Sequence, residues 1–95
     1  MSNSQLKVLC LVVLSEVHRL TAAEQAERMA QAALSISKKS NNAMLAYASV
    51  CLLRDIYNDC HNEEKVRAME EQRVLYRHHL QKRLRVSNDH AISRP

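Results

Sequence analysis

The chain has 95 residues, and none of them is glycine. Glycine adopts left-handed backbone without steric cost, and most sharp turns and phosphate-binding loops depend on it. Its absence excludes dinucleotide fingerprints, P-loops and the nucleophile elbow of hydrolases, because each requires glycine where the backbone bends or approaches a ligand. What remains open to such a chain is a helical fold.

Size and side-chain composition predict one small helical domain over residues 1–85. Three residues are tyrosine and none is phenylalanine or tryptophan, so the core has to be built from Leu, Val, Ile, Met and Ala. Cores of this kind favour closely packed helices over deep ligand pockets. The three cysteines, Cys10, Cys51 and Cys60, lack the spacing of a disulfide framework, which favours a reducing compartment and a cytoplasmic location.

The apolar run Leu6–Leu14 is interpreted as a buried helix. It contains Lys7 and is far shorter than the ~20 residues that span a bilayer. It leads into Ser15–Arg19 without a small-residue cleavage site, which argues against a signal peptide, the competing interpretation. We therefore expect no membrane span.

Hydrophobic periodicity predicts an all-α fold of three to four antiparallel helices, packed as helical hairpins or a small bundle. The predicted helices cover residues 4–20, 21–39, 42–59 and 62–85. The first helix carries apolar side chains on every face, which predicts burial on more than one side and a central place beside the third. Residues 86–95 are polar and end in proline, which predicts a disordered tail.

Local signals mark the helix ends. Thr21–Glu24 has the pattern of a capping box, which places the start of the second helix at Thr21. Asparagine stands in for glycine in the segment Ser40–Asn42, which is predicted both to end the second helix and to supply the N-cap of the third. Residues 58–62 are predicted to form the last turn. The predicted inward face of the second helix is Ala22, Ala26, Met29, Ala30, Ala33 and Ile36.

Six residues between 43 and 76 follow a pattern of helical repeats: Leu53, Ile56, Tyr57, His61, Asn62 and Val66. They take the first-helix packing, turn and small-residue positions of the pattern. The segment therefore resembles one tetratricopeptide-type helical hairpin, with residues 21–36 as the second helix of a preceding unit. The chain departs from the motif at Arg54, which stands at a small-residue position, and no glycine closes the turn. The resemblance implies a scaffold that binds peptides or helices of another protein.

No grouping of residues predicts catalysis or a cofactor. Carboxylates and histidines do not gather on an apolar face, as acid–base catalysis would require, so the chain is predicted not to be an enzyme. Cys60–His61 and His78–His79 are the one cluster with metal-ligating residue types. The His78–His79 pair would lie about 25 Å from Cys60–His61 along the fourth helix at 1.5 Å per residue, so no metal site is predicted.

The C-terminal part of the chain is basic. Between residues 72 and 95 Asp89 is the only acidic residue. The candidate nucleic-acid contacts are Arg77, Lys82, Arg83 and Arg85, which would make binding to phosphates salt-dependent. A solvated helix face that complements the C-terminal helix dipole is the alternative interpretation.

The functional prediction is based on apolar surface that the fold is not expected to cover. The first and third helices carry more apolar side chains than a four-helix monomer covers easily, which predicts a small adaptor or chaperone-like protein that binds another protein. The predicted partner-binding residues are Leu11, Leu14, Leu45, Leu52 and Tyr76. Two alternatives stay open: a nucleic-acid-associated regulator that forms a homodimer, and a structural homodimer with the first helix at its two-fold seam.

Overall fold

The computed structural model describes residues 2–92, with side chains within residues 2–83. The chain forms four helices: α1 (Asn3–His18), α2 (Ala23–Lys39), α3 (Ala43–Asp59) and α4 (Glu63–Ile92). The predicted all-α fold is confirmed, and no strand occurs in the described range. None of these helices, over the same range, is long and apolar enough to cross a membrane.

The second and third turns share one geometry. Each ends a helix in a Schellman motif whose left-handed residue is not glycine: Asn41 has a φ of 53° and His61 a φ of 57°. The amides of the following residues, Asn42 and Asn62, bond back to the preceding helix at 2.9 Å in both turns. Asparagine and histidine are among the residues that tolerate this conformation, and so the chain turns without glycine.

The same two asparagines cap the helices that follow. The Oδ1 of Asn42 accepts from the Leu45 amide at 3.1 Å, and the Oδ1 of Asn62 accepts from the Lys65 amide at 3.2 Å. Each bond satisfies one of the amide donors that a helix N-terminus leaves without an intrahelical partner. The predicted N-cap within Ser40–Asn42 is confirmed, and the residue that makes it is Asn42.

The predicted capping box at Thr21–Glu24 is wrong. α2 begins at Ala23, and its N-cap position is Ala22, which makes no side-chain cap. The threonine belongs to the turn that leaves α1 and stands one residue too early to cap α2. A capping box does occur at the start of α1, where Ser2 Oγ accepts from the Gln5 amide at 3.1 Å and Gln5 Oε1 accepts from the Ser2 amide at 3.0 Å.

The helices pack in chain order. α1 contacts α2, α2 contacts α3 and α3 contacts α4, while α1 also touches α3 over a smaller area. Within residues 2–92, α4 packs against α3 alone. α3 is therefore a central helix, as predicted, but the prediction that α1 is central and buried on more than one side is wrong. α1 lies at one end of the row, so no described element covers its other side.

Alanines of α2 bring its neighbours close. Ala26, Ala30 and Ala33 are fully buried, as predicted. Because these side chains end at Cβ, α1 approaches near enough for the Ser15 hydroxyl to donate to the Ala26 carbonyl at 2.7 Å. Besides Val8 of α1 and Leu34 of α2, the larger core residues come from α3: Val50, Leu52, Leu53, Ile56 and Tyr57.

α4 is longer than the sequence pattern predicts. It runs to Ile92, whereas the predicted helix ended near residue 85. Residues 86–92 contain neither glycine nor proline, the two residues that most strongly end a helix, and polarity alone does not end one. The predicted disordered tail, 86–95, overlaps this last stretch of helix, and its residues 93–95 lie outside the described part of the chain.

Candidate functional site

One side of α1 is an uncovered apolar surface, which we call the outer face. It consists of Leu6, Leu9, Cys10, Val13, Leu14 and Val17, continued by Leu20 in the following turn. The exposed fractions of its large aliphatic residues range from 37% at Leu9 to 84% at Leu20. A contiguous set of exposed apolar side chains marks an interaction site more often than isolated ones do.

The opposite side of α1 faces the domain. Val8 and Ser15 are fully buried, and Leu11 and Val12 are half-buried beside them. Val8 and Ser15 are seven residues apart, so they lie on one line along the helix. α1 therefore has one covered side and one uncovered side, and both are apolar.

When the helices are aligned from their first residues, four residues of the outer face fall at positions that are buried in the other helices. The helices begin at intervals of 20 residues, from residue 3 to residue 63. The fourth, eighth, eleventh and fifteenth residues of α2 and α3 are all buried: Ala26, Ala30, Ala33, Ser37, Ala46, Val50, Leu53 and Tyr57. The same positions of α1 are all exposed: Leu6, Cys10, Val13 and Val17. The outer face thus has the composition of a covered helix face and no cover.

Ion pairs fix the C-terminal end of α1 beside the outer face. Arg19 Nη2 donates to Asp59 Oδ1 at 3.2 Å, and Arg19 Nη1 donates to Glu16 Oε1 at 3.1 Å. The hydrogen bond from Arg19 lowers the pKa of Asp59, and the same bond raises the pKa of Arg19. The bond to Asp59 joins the end of α1 to the end of α3, and the bond to Glu16 orients the Arg19 side chain.

A second surface feature is a groove between the end of α2 and the middle of α4. Its volume is about 690 Å³. Ala46 and Tyr76 contribute apolar surface, and Lys38, His79 and Arg83 contribute basic groups, while no carboxylate lies among its lining residues. The groove is therefore suited to a partly apolar ligand with negative charge.

Glu70 joins α3 to α4. It accepts from Arg73 Nε at 2.9 Å and from Arg54 Nη1 at 3.0 Å. These hydrogen bonds, with the larger effect from Arg73, lower the pKa of Glu70 to about 2. Bonds to Glu70 and Tyr47 raise the pKa of Arg73. Arg73 interrupts the apolar pattern of α4 in the sequence, and this pairing is its structural explanation.

The five residues predicted to bind a partner do not form one surface. Leu14 lies on the outer face, whereas Leu11 is half-buried toward the domain. Leu52 is almost completely buried in the core, so it has no surface to offer a partner, and the prediction is corrected at this residue. Leu45 is half-buried on α3, and Tyr76 lines the groove.

The predicted phosphate contacts lie on α4. Arg77, Lys82 and Arg83 are exposed, and the side chain of Arg85 lies outside the described residues. The ion pairs found among the described side chains involve none of these three cations. Arg83 also reaches the groove. The three charges are therefore available to an anionic ligand.

Most of the outer face was not predicted from the sequence. The missed residues are Leu6, Leu9, Cys10, Val13, Val17 and Leu20. α1 is apolar on all sides, so hydropathy alone could not separate the covered side from the uncovered one. The signal that could have found the face is the regular spacing of the helix starts, because it allows each position of α1 to be compared with its equivalents in α2 and α3.

The histidines and cysteines whose side chains the structure describes do not assemble into a metal centre. Cys60 and His61 lie in the turn before α4, and His78 and His79 lie far along that helix. Among the side chains of residues 2–83, no group of three or more His, Cys, Asp or Glu is placed to hold a metal ion.

Comparison of the chain with models of known families, with curated proteins and with solved structures finds no match. The candidate sites of this protein are therefore the outer face of α1, the groove and the exposed charges of α4.

Proposed function

We propose that this protein is a small helical interaction module, an adaptor or chaperone-like accessory protein, that binds another polypeptide through the outer face of α1. The observation that carries the proposal is the exposure, on α1, of the four register positions that are buried in both α2 and α3. In arrays of packed helices the terminal unit needs a polar outer side to remain unpaired in water. α1 has an apolar one, and a binding partner would remove it from water.

The arrangement of the helices supports the same function. Each helix packs mainly on its chain neighbours, so a further helix could be added at α1 in the way that α1 itself is added to α2. This is also what the resemblance to tetratricopeptide-type hairpins implies, namely a scaffold for helices or peptides of another protein. We place the module in the cytoplasm, in accord with its cysteine pattern.

The test is partner capture by matched variants. Val13→Asp combined with Val17→Asp places two carboxylates on the outer face, and Val74→Asp places one on the exposed side of α4. Tagged chains would be recovered from the source cells with nuclease present. We expect the bound protein to be retained by the Val74 variant and lost from the double variant, with unchanged helicity in circular dichroism. Equal retention by both variants would contradict the proposal.

A second candidate function is nucleic-acid binding through α4. It is favoured by the exposure of Arg77, Lys82 and Arg83 without ion-pair partners among the described side chains. For binding of this kind, the logarithm of the binding constant falls linearly with the logarithm of the salt concentration, with a slope set by the number of phosphates neutralised. Replacement of the three residues by glutamine should reduce that slope. A complex that is insensitive to salt would eliminate this function.

A further inference from the structure

We propose that the occupant of the outer face of α1 is a second copy of this chain. The inference rests on the proposed function, because it identifies the polypeptide that the face binds. A homodimer buries the same surface patch of both copies across a two-fold axis, so the patch has to be complementary to itself. Three observations on α1 meet this requirement.

The first observation is the spacing of the exposed residues. Leu6, Cys10, Val13 and Val17 follow one another along α1 at intervals of four, three and four residues. This is the heptad spacing of a helix that packs along a like helix with knobs in holes. A seam of about three helical turns therefore runs along the outer face, and Leu20 continues it in the turn after α1.

The second observation is where the domain lies relative to that seam. In the same heptad, Val8 and Ser15 fall at the position directly opposite the seam, and they are the two fully buried residues of α1. The domain therefore covers the back of the helix only. A second copy can approach the seam without meeting α2, α3 or α4 of the first.

The third observation is the area available. At the exposures found, the six large aliphatic side chains of the outer face present roughly 600 Å² of apolar surface per copy, at about 100 Å² each. If the whole of this surface were covered, two copies would bury about 1,200 Å², which is the lower end of the range for specific, stable interfaces. One helix face is thus enough for a dimer without a contribution from another element.

Charge does not oppose the pairing. The charged residues beside the seam are Lys7 and Glu16, which have opposite signs. The basic side chains that give the chain its net charge of +4 include those of α4, which does not contact α1. Two copies that meet along α1 therefore do not bring their basic surfaces together.

The experiment is sedimentation equilibrium of the full chain over a wide range of concentrations, with the same variants as above. We expect the wild type and Val74→Asp to form dimers. Val13→Asp with Val17→Asp should dissociate into folded monomers, with a dissociation constant at least about 100-fold higher, because it would bury carboxylates in the seam. A wild type that is monomeric at every concentration would overturn the inference, as would a dimer that the double variant does not weaken.

Cross-linking at Cys10 provides a readout that needs no substitution on the outer face. In chains whose only change is Cys60→Ser, a short bismaleimide should link two copies through Cys10, and absence of that link would contradict the seam. The outcomes also separate this inference from the proposed function. A monomer that still binds a different protein, in a manner sensitive to Val13 and Val17, overturns the homodimer alone. A chain that neither forms a dimer nor binds a different protein through the outer face would overturn the two proposals together.

Discussion

Ser15 shows how much the contact between α1 and α2 depends on small side chains. It is fully buried, and its hydroxyl donates to the carbonyl of Ala26 across the helix interface. Such a bond between helices requires an approach that a larger residue at Ala26 or Ala30 would prevent. The alanines of α2 are therefore structural requirements of the fold as well as good helix formers.

Replacement of Ser15 should destabilise the domain, and a larger side chain should destabilise it more. We expect Ser15→Ala to lower the free energy of unfolding by about 1 kcal/mol through loss of the hydrogen bond. Ser15→Leu should cost more, about 1–3 kcal/mol, because the added volume has no space beside Ala26. Urea titration measures both. Ser35→Ala, on the exposed side of α2, is the control for helix propensity. A Ser15→Ala effect equal to that of Ser35→Ala would contradict this account of the bond.

Glu70 makes the stability of the domain sensitive to acid. Its pKa is lowered from 4.5 to about 2 by hydrogen bonds from Arg73 and Arg54. A carboxylate with a lowered pKa in the folded state contributes stability above its unfolded pKa, and that contribution is lost as the pH falls through the folded value. The loss should therefore occur between pH 4.5 and about 2. The carboxylate is more than a third exposed, so the effect is screened by solvent.

The pH dependence can be isolated with a matched pair of variants. As the pH is lowered from 4.5 to 2, the melting temperature of the wild type should fall more steeply than that of Glu70→Gln. Glu71→Gln removes the exposed neighbouring carboxylate and should leave the wild-type slope intact. Parallel curves for the wild type and Glu70→Gln would show that the ion pairs contribute nothing measurable.

Single residues were predictable where one local rule decides the outcome. Asn42 has the side chain of an N-cap and follows a helix that ends in lysines, and the structure uses it as predicted. Leu52 was not predictable in this way, because an apolar residue on an apolar helix has the same local signal whether it is buried or exposed. Its burial is decided by the helices that pack against α3.

At the scale of the helix, the N-cap residues show where a helix begins. Asn42→Ala and Asn62→Ala should each cost about 1 kcal/mol of stability, since each removes a side-chain bond to a helix-terminal amide. Thr21→Ala should be within about 0.5 kcal/mol of the wild type, because Thr21 does not occupy the N-cap of α2. Denaturant titration of the three variants measures this. A cost at Thr21 that matched the asparagines would contradict the boundary at Ala23.

The number and type of the helices could be predicted, while their exact ends depended on tertiary structure. Regular apolar spacing and the absence of glycine were sufficient to predict three to four helices, and the structure has four. The start of α2 was misplaced because a threonine followed by glutamate three residues later also fits a turn. The end of α4 was misplaced because a polar segment without helix breakers can continue a helix.

At the scale of the whole molecule, the helices form an open row. α1 and α4 lie at its two ends and do not contact each other within residues 2–92. A closed bundle of four helices would have covered the apolar sides of α1, and the open row leaves one of them exposed. The candidate site is therefore a consequence of the topology, which explains why the sequence indicated surplus apolar surface without showing which residues form it.

The most direct test of the account is site-specific photo-cross-linking in living cells that produce the protein naturally. A photoreactive phenylalanine analogue would replace Val17 on the outer face in one sample and Val74 on α4 in another. We predict a discrete cross-linked species from Val17, containing either a second copy of the chain or another protein, and none from Val74. An outer face that yields no cross-link, or no more than the control, would contradict the claim that α1 is the binding surface.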